Sequence, residues 1–265
     1  MSGEKGPNEV QVEPVRTTET PPFWASSRLA GENYVAVLSR WHRILKPKTY
    51  FEIGVASGAT LELATCASIA VDPVISVTRP ILANKPFCCC FQMTSDRFFD
   101  EHTPAGIFAR PIDLAFIDGM HLYEYTLRDF INTERYCKKN SVICLHDCVP
   151  VDSYVGRRDV KDTQWQAATR NPDWWAGDVW KAVAILLRYR PDLKIHAFNA
   201  SPTGLVAITN LDPASTVLCE SYFDIISEFR EMALGNDGEA YLSELNIIDT
   251  LQTDSHERLS RMFWL

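Results

Sequence analysis

Five acids stand beside or directly after apolar runs in this chain: Glu52 within YFEIGVASG (50–58), Asp72 after 68–71, Asp96 after 87–93, Asp118 after 112–117 and Asp147 after 141–145. Two of them have a histidine close by, His121 and His146. Carboxylates so placed can accept hydrogen bonds from a ribose diol or ligate a hard cation, and a histidine titrating near neutrality suits a general base. A single acid at a strand-to-helix turn is explained by capping the helix; five on one rim are not.

Such a rim requires an α/β protein. The runs 49–55, 68–71, 87–93, 112–117 and 141–145 are nearly continuous in apolar residues, as strands buried on both faces are. Helix-like segments at 59–67, 97–101 and 123–137 separate them, so the sheet is parallel with helices on both faces. Ligands in such sheets lie outside the carboxyl ends of the strands. A helix at 33–45, stopped by Lys46-Pro47, precedes the first strand. Residues 148–177 form a long polar and aromatic run, the character of a lid. Trp174, Trp175 and Trp180 either close that lid over a ligand or pack the insertion. A helix at 178–189 and two strands at 193–199 and 204–209 follow. They complete a Rossmann-like, doubly wound, mostly parallel sheet of seven strands with an antiparallel pair at one edge. Residues 1–25 read as a disordered polar lead, and 26–214 as the main domain. Residues 215–265 read as an extension of two or three amphipathic helices. Its apolar end, Phe263-Trp264-Leu265, would dock on the body or on a second subunit, which leaves a homodimer open.

A net charge of −8 argues against a nucleic-acid surface. No window approaches the ~20 apolar residues of a membrane span. The polar start is not a signal or transit peptide, so the expected setting is the cytoplasm, with no membrane partner. Eight cysteines without a C-x-x-C pair read mostly as small buried hydrophobes of a reducing compartment. The spacing argues against structural zinc. Neighbours in the run Cys88-Cys89-Cys90 would point to opposite faces of a strand.

The turn at 52–58 spells E-x-G-x-x-x-G, not the G-x-G-x-x-G of dinucleotide binders. It resembles the first motif of class I S-adenosylmethionine (SAM) methyltransferases. FIDGMHLYEY at 116–125, followed by Arg128-Asp129-Phe130, resembles the F-I-D-G-x-H-x-Y segment of one such family, often found with small-molecule and sugar biosynthesis. VICLHD at 142–147 and GDVWKAV at 177–183 are similar to two further signatures of that family.

The resemblance implies a SAM-binding methyltransferase domain over 26–214 with a lid at 148–177. It puts Glu52, Gly54, Ser57, Gly58 and Asp72 on the cofactor motifs, Ser95 and Asp96 at the adenine loop, and Asp118 beside them. It also puts Asp118 and Asp147 where related O-methyltransferases hold a divalent cation such as Mg²⁺. Two departures bear on that chemistry. His146 stands where some relatives carry an acid, which favours a softer metal or none. Met120 stands where some metal-dependent sugar methyltransferases carry a catalytic acid. His121 and His146 are the general-base candidates, with His121 ahead. The implied reaction is O-methylation of a small-molecule hydroxyl, on a sugar or a glycosylated metabolite. The competing readings are a SAM-binding protein without catalysis and an NAD-dependent oxidoreductase.

Overall fold

The alternation of side chains along the first strand, β1 (Thr49–Ile53), divides the core between two layers. Tyr50 faces a layer built on Val37, Leu38 and Trp41 of the first helix, α1 (Tyr34–Leu45), while Phe51 and Ile53 face the opposite layer. Glu52 shares the face of Tyr50 by the two-residue period of a strand, and every β1 residue is buried. The structure, a computed structural model, describes residue 23 and residues 29–263. The expected disordered lead therefore lies outside the described residues except for Phe23, which is buried and bonded through its backbone to Ser153. Trp264 and Leu265 also lie outside them.

Five parallel strands form the body of the sheet: β1, β2 (Ala67–Val71), β3 (Cys88–Phe91), β4 (Ile112–Ile117) and β5 (Cys137–His146). β6 (Lys194–Phe198) and β7 (Leu205–Thr209) add the expected antiparallel pair. The order is β3-β2-β1-β4-β5-β7-β6-β8. The eighth strand, β8 (Ile247–Ile248), comes from the tail and extends the sheet beyond the seven strands expected; two residues are too few to read as a strand in sequence. The order reverses between β1 and β4, so a crevice opens at their carboxyl ends.

The helix expected at 59–67 is absent; only a 3₁₀ turn, Leu61–Leu63, forms there. Three side-chain bonds, two of them from the distant Lys85, stop a longer helix. The Thr60 hydroxyl donates to Glu52 instead of capping, and Lys85 Nζ donates to the carbonyls of Leu61 and Ala64 that further turns would need. Helix α2 (Ser95–Glu101) is capped by Thr94, whose hydroxyl accepts from the Arg97 amide, and α3 (Pro104–Phe108) follows. Helix α4 (Tyr123–Glu134) ends before Cys137, which opens β5; Lys138, Lys139 and Asn140 lie inside that strand rather than ending a helix. Helix α5 is Trp180–Tyr189. The tail holds four short helices, α6 (Val217–Glu220), α7 (Tyr222–Phe229), α8 (Leu234–Glu244) and α9 (His256–Ser260), where two or three were expected. Of the apolar end, Phe263 is buried and docks against Trp41.

Of the cysteines, Cys66, Cys137, Cys144 and Cys148 are buried, half of the eight rather than most. Among the described residues no helix is long and apolar enough to cross a membrane.

Candidate active site

The carboxyl ends of β1, β2 and β4 open into a cleft of about 670 Å³. Gly54, Ala56 and Asp72 line it from the first two strands, Ser95 and Asp96 from the start of α2, and Asp118, Gly119, Met120 and His121 from the turn after β4. The β1 turn is held open by Asp72: its Oδ2 accepts from the amides of Val55 and Ala56 at 2.7 and 3.0 Å, and its Oδ1 from Val74 at 2.8 Å. Gly54 has φ +87°, and a Cβ there would stand 1.9 Å from the carbonyl oxygen of Asp118. Only glycine lets the β1 and β4 turns approach this closely.

Three residues expected on the cofactor motifs do not line this cleft: Glu52, Ser57 and Gly58. Glu52 is fully buried beneath α1, where it accepts from the hydroxyls of Tyr50 at 2.6 Å and Thr60 at 2.8 Å. Burial pushes its pKa up to about 8 against the pull of those two bonds. Gly58, at φ +82°, faces Ile81 across the following loop. Asp96 does line the cleft, but both of its oxygens are taken by Arg128, at 2.9 and 2.6 Å.

At one end of the cleft, Asp118, His121 and Asp147 converge. His121 Nε2 lies 3.2 Å from Asp118 Oδ1 and 3.2 Å from Asp147 Oδ2. His146 Nδ1 lies 3.5 Å from Asp118 Oδ1 and 3.4 Å from Asp147 Oδ1. None of these contacts has hydrogen-bond geometry, so Asp118 Oδ1 and both ring nitrogens of His146 are buried without a hydrogen-bond partner. Burial works to lower the pKa of each imidazole, but the two carboxylates outweigh it and raise both, His121 to about 9. Burial works to raise the pKa of Asp118, and the two imidazoles beside it hold it well below the usual range instead. His121 and Asp147 both take positive φ, 58° and 59°, a strained backbone for such residues that collects at functional sites. Two carboxylates and one imidazole, each offering an atom within 4.8 Å of the others, suit a divalent cation. The orphaned Asp118 oxygen fits that reading, and the mixed O/N donor set favours a transition metal over Mg²⁺.

Sequence reasoning missed several supports of this cluster. The Thr203 hydroxyl donates to Asp147. The Tyr34 ring packs against His146 with centroids 4.0 Å apart and planes tilted by 33°. Asp129 lines the cleft, and burial pushes its pKa up to about 7; it falls within the FIDG-type segment, which was a usable signal. Trp175, in the long 148–177 segment, places its carbonyl oxygen 2.9 Å from His121 Nδ1 and its ring 5.2 Å from the imidazole. Trp180 belongs to the core instead, buried against Tyr241, and Trp174 is exposed.

Residues 51–148 match the sequence profile of a family described as "Methyltransferase domain". No curated protein matches the chain. Similar solved structures include the O-methyltransferase TomG of Streptomyces achromogenes, solved with SAM, at 13% identity and a TM-score of 0.44 over 66% of this chain and 78% of that one. The O-methyltransferase of Bacillus cereus, solved with S-adenosylhomocysteine, is 11% identical with a TM-score of 0.45 over 66% and 80%. A methyltransferase of Geobacter sulfurreducens is 13% identical with a TM-score of 0.42 over 67% and 78%. A likeness this distant decides neither cofactor nor substrate.

Proposed function

We propose that this chain, whose residues 51–148 match a methyltransferase-domain profile, carries a methyl group from SAM to a hydroxyl oxygen of a small molecule, on a sugar or glycosylated metabolite. The observation that carries this reading is the cleft itself. It lies at the point where the strand order reverses, it is held open by Asp72, and it ends on the Asp118–His121–Asp147 cluster.

When bound, SAM supplies an electrophilic methyl group, and its S–C bond breaks as the acceptor O–C bond forms. We assign Asp72 a ribose hydroxyl: three amides already occupy three of its roughly four lone-pair sites, which leaves one for a further donor. Ser95 and Asp96 flank the opposite side, and Gly54 leaves room for a ligand to lie against the backbone. Asp118, His121 and Asp147 would hold a divalent cation, which lowers the pKa of a hydroxyl it binds. The acceptor's proton must leave as the O–C bond forms, and we assign its reception to a carboxylate of this cluster, since His121 Nε2 is a ligand atom once the cation is held and its Nδ1 faces the Trp175 carbonyl oxygen. Trp175 covers the imidazole and excludes water from that end of the cleft.

Calorimetric titration with SAM, with and without Mn²⁺, followed by transfer of labelled methyl to a panel of hydroxylated acceptors, tests the reading. Saturable SAM binding and labelled product are expected. SAM binding without transfer to any acceptor would leave a binding protein, and NAD binding in place of SAM would overturn the proposal.

A further inference from the structure

A second groove, of about 680 Å³, lies at the opposite end of the sheet from the cleft. Lys48, directly before β1, lines it together with Cys66 and Ala67 at the start of β2 and Arg110 just before β4; Arg43 and Lys46 reach it from the end of α1. No acid lines it among the described residues. Arg43, Lys46, Lys48 and Arg110 are exposed, and none has a side-chain ion pair or hydrogen bond with the described residues. On a chain of net charge −8, four unpaired cations around one groove are a local arrangement, not a generally basic surface. Their mutual repulsion is relieved by an anion between them.

The C-terminal dipole of α1 accounts for Arg43 and Lys46, but Lys48 and Arg110 sit on other elements outside its reach. The groove also holds a buried group in need of a partner. His42 lines it, is 6% exposed, and has neither ring nitrogen hydrogen-bonded. A neutral imidazole carries one N–H donor, and leaving it buried and unpaired is costly. An anionic oxygen in the groove would accept from it after a small shift of the ring, since neither nitrogen reaches the surface.

We infer that this groove binds the phosphoryl groups of a small metabolite at the amino ends of the strands, separate from the cleft. The volume exceeds that of inorganic phosphate and suits a nucleotide or a sugar phosphate. Arg43 and Arg110 provide forked donors that match phosphate geometry, and Lys46 and Lys48 act as point charges. The inference does not depend on the methyltransferase reading.

The probe is inorganic pyrophosphate, titrated calorimetrically into the full chain at fixed ionic strength. Saturable binding at one site is expected, weakened about tenfold or more in the Lys48→Gln/Arg110→Gln double variant. Both residues are exposed, so the variant is expected to fold, and its melting curve checks this. The ring ¹⁵N resonances of His42 should shift as the groove fills. Absence of saturable binding, equal affinity in the double variant, or a His42 signal unmoved at saturation would overturn the inference. Binding to anionic vesicles or duplex DNA with none to free pyrophosphate would also overturn it, by making the groove a surface for a macromolecular polyanion.

Discussion

A Cβ placed on Gly177 would stand 1.7 Å from the carbonyl oxygen of His121. The end of the 148–177 segment therefore passes against the backbone of His121 at a distance that glycine alone permits. The next residue, Asp178, accepts from the Tyr123 amide through its side chain, and so serves the start of α4, whose own N-cap Leu122 offers no side-chain bond. Arg158 of the same segment pairs with both Asp178 and Glu124. The GDVWK signature is thus a clamp between the 148–177 segment, His121 and α4.

Replacing Gly177 with alanine adds a Cβ both to this contact and to a backbone at φ +62°. A loss of roughly 2 kcal/mol or more is expected from strain and displacement together. Thermal unfolding of Gly177→Ala measures it, and methyl transfer by the fraction still folded should fall because His121 moves. An unchanged melting temperature would show that the two segments separate at no cost.

Asp72 accepts three amide bonds, two from the β1 turn and one from Val74 in its own turn. Asp72→Ala removes every acceptor, whereas Asp72→Asn keeps one oxygen. SAM affinity is expected to fall about tenfold or more in the alanine variant, from lost charge-assisted bonds, and less in the asparagine variant. Calorimetry ranks the three proteins; equal affinities would remove Asp72 from the cofactor site.

Mn²⁺ or Zn²⁺ added to chelator-treated protein should bind at one site. Asp118→Asn and Asp147→Asn should each weaken that site about a hundredfold, since each removes a charged oxygen ligand. If neither ion binds the unaltered protein, the cluster is a network of two acids and two histidines without a metal role.

Glu52 gives a stability test with a definite sign. Its folded pKa, about 8, lies above the ~4.3 of an unfolded glutamate. Between these values the unfolded chain has released a proton that the folded protein keeps. Stability therefore falls as pH rises through that window and levels off above it. Glu52→Gln abolishes the titration, while its amide can accept from Thr60 and donate to Tyr50. The melting temperature of the variant, relative to the parent, should climb across the window and then plateau. A constant difference from pH 5 to 8 would contradict a buried, proton-retaining Glu52.

Much of the cleft was legible because strand ends are marked by local chemistry. An apolar run followed by an acid and a glycine needs no knowledge of the rest of the chain. Gly54, Asp72, Ser95, Asp96, Asp118 and His121 all follow apolar runs in the sequence, and all line one cleft. Glu52 misled because the motif names a position and not a direction. The period of β1 turns its side chain under α1, to Tyr50 and Thr60. Asp129 was missed as a site residue because a helical acid in mid-sequence looks solvated until α4 is laid along the sheet.

The sequence by itself determined the α/β class, the parallel strands, the acids along their ends and the methyltransferase motifs, because each is written in residues close together in the chain. Only the tertiary structure decided what depends on distant segments meeting. It replaced the 59–67 helix by a 3₁₀ turn through Glu52 and Lys85. It drew an eighth strand from the tail and separated Trp175, over His121, from Trp180, in the core. It also gathered Lys48, Arg110 and the end of α1 around one groove. Contacts of that kind follow from how packed layers bring remote residues together, and no local pattern encodes them.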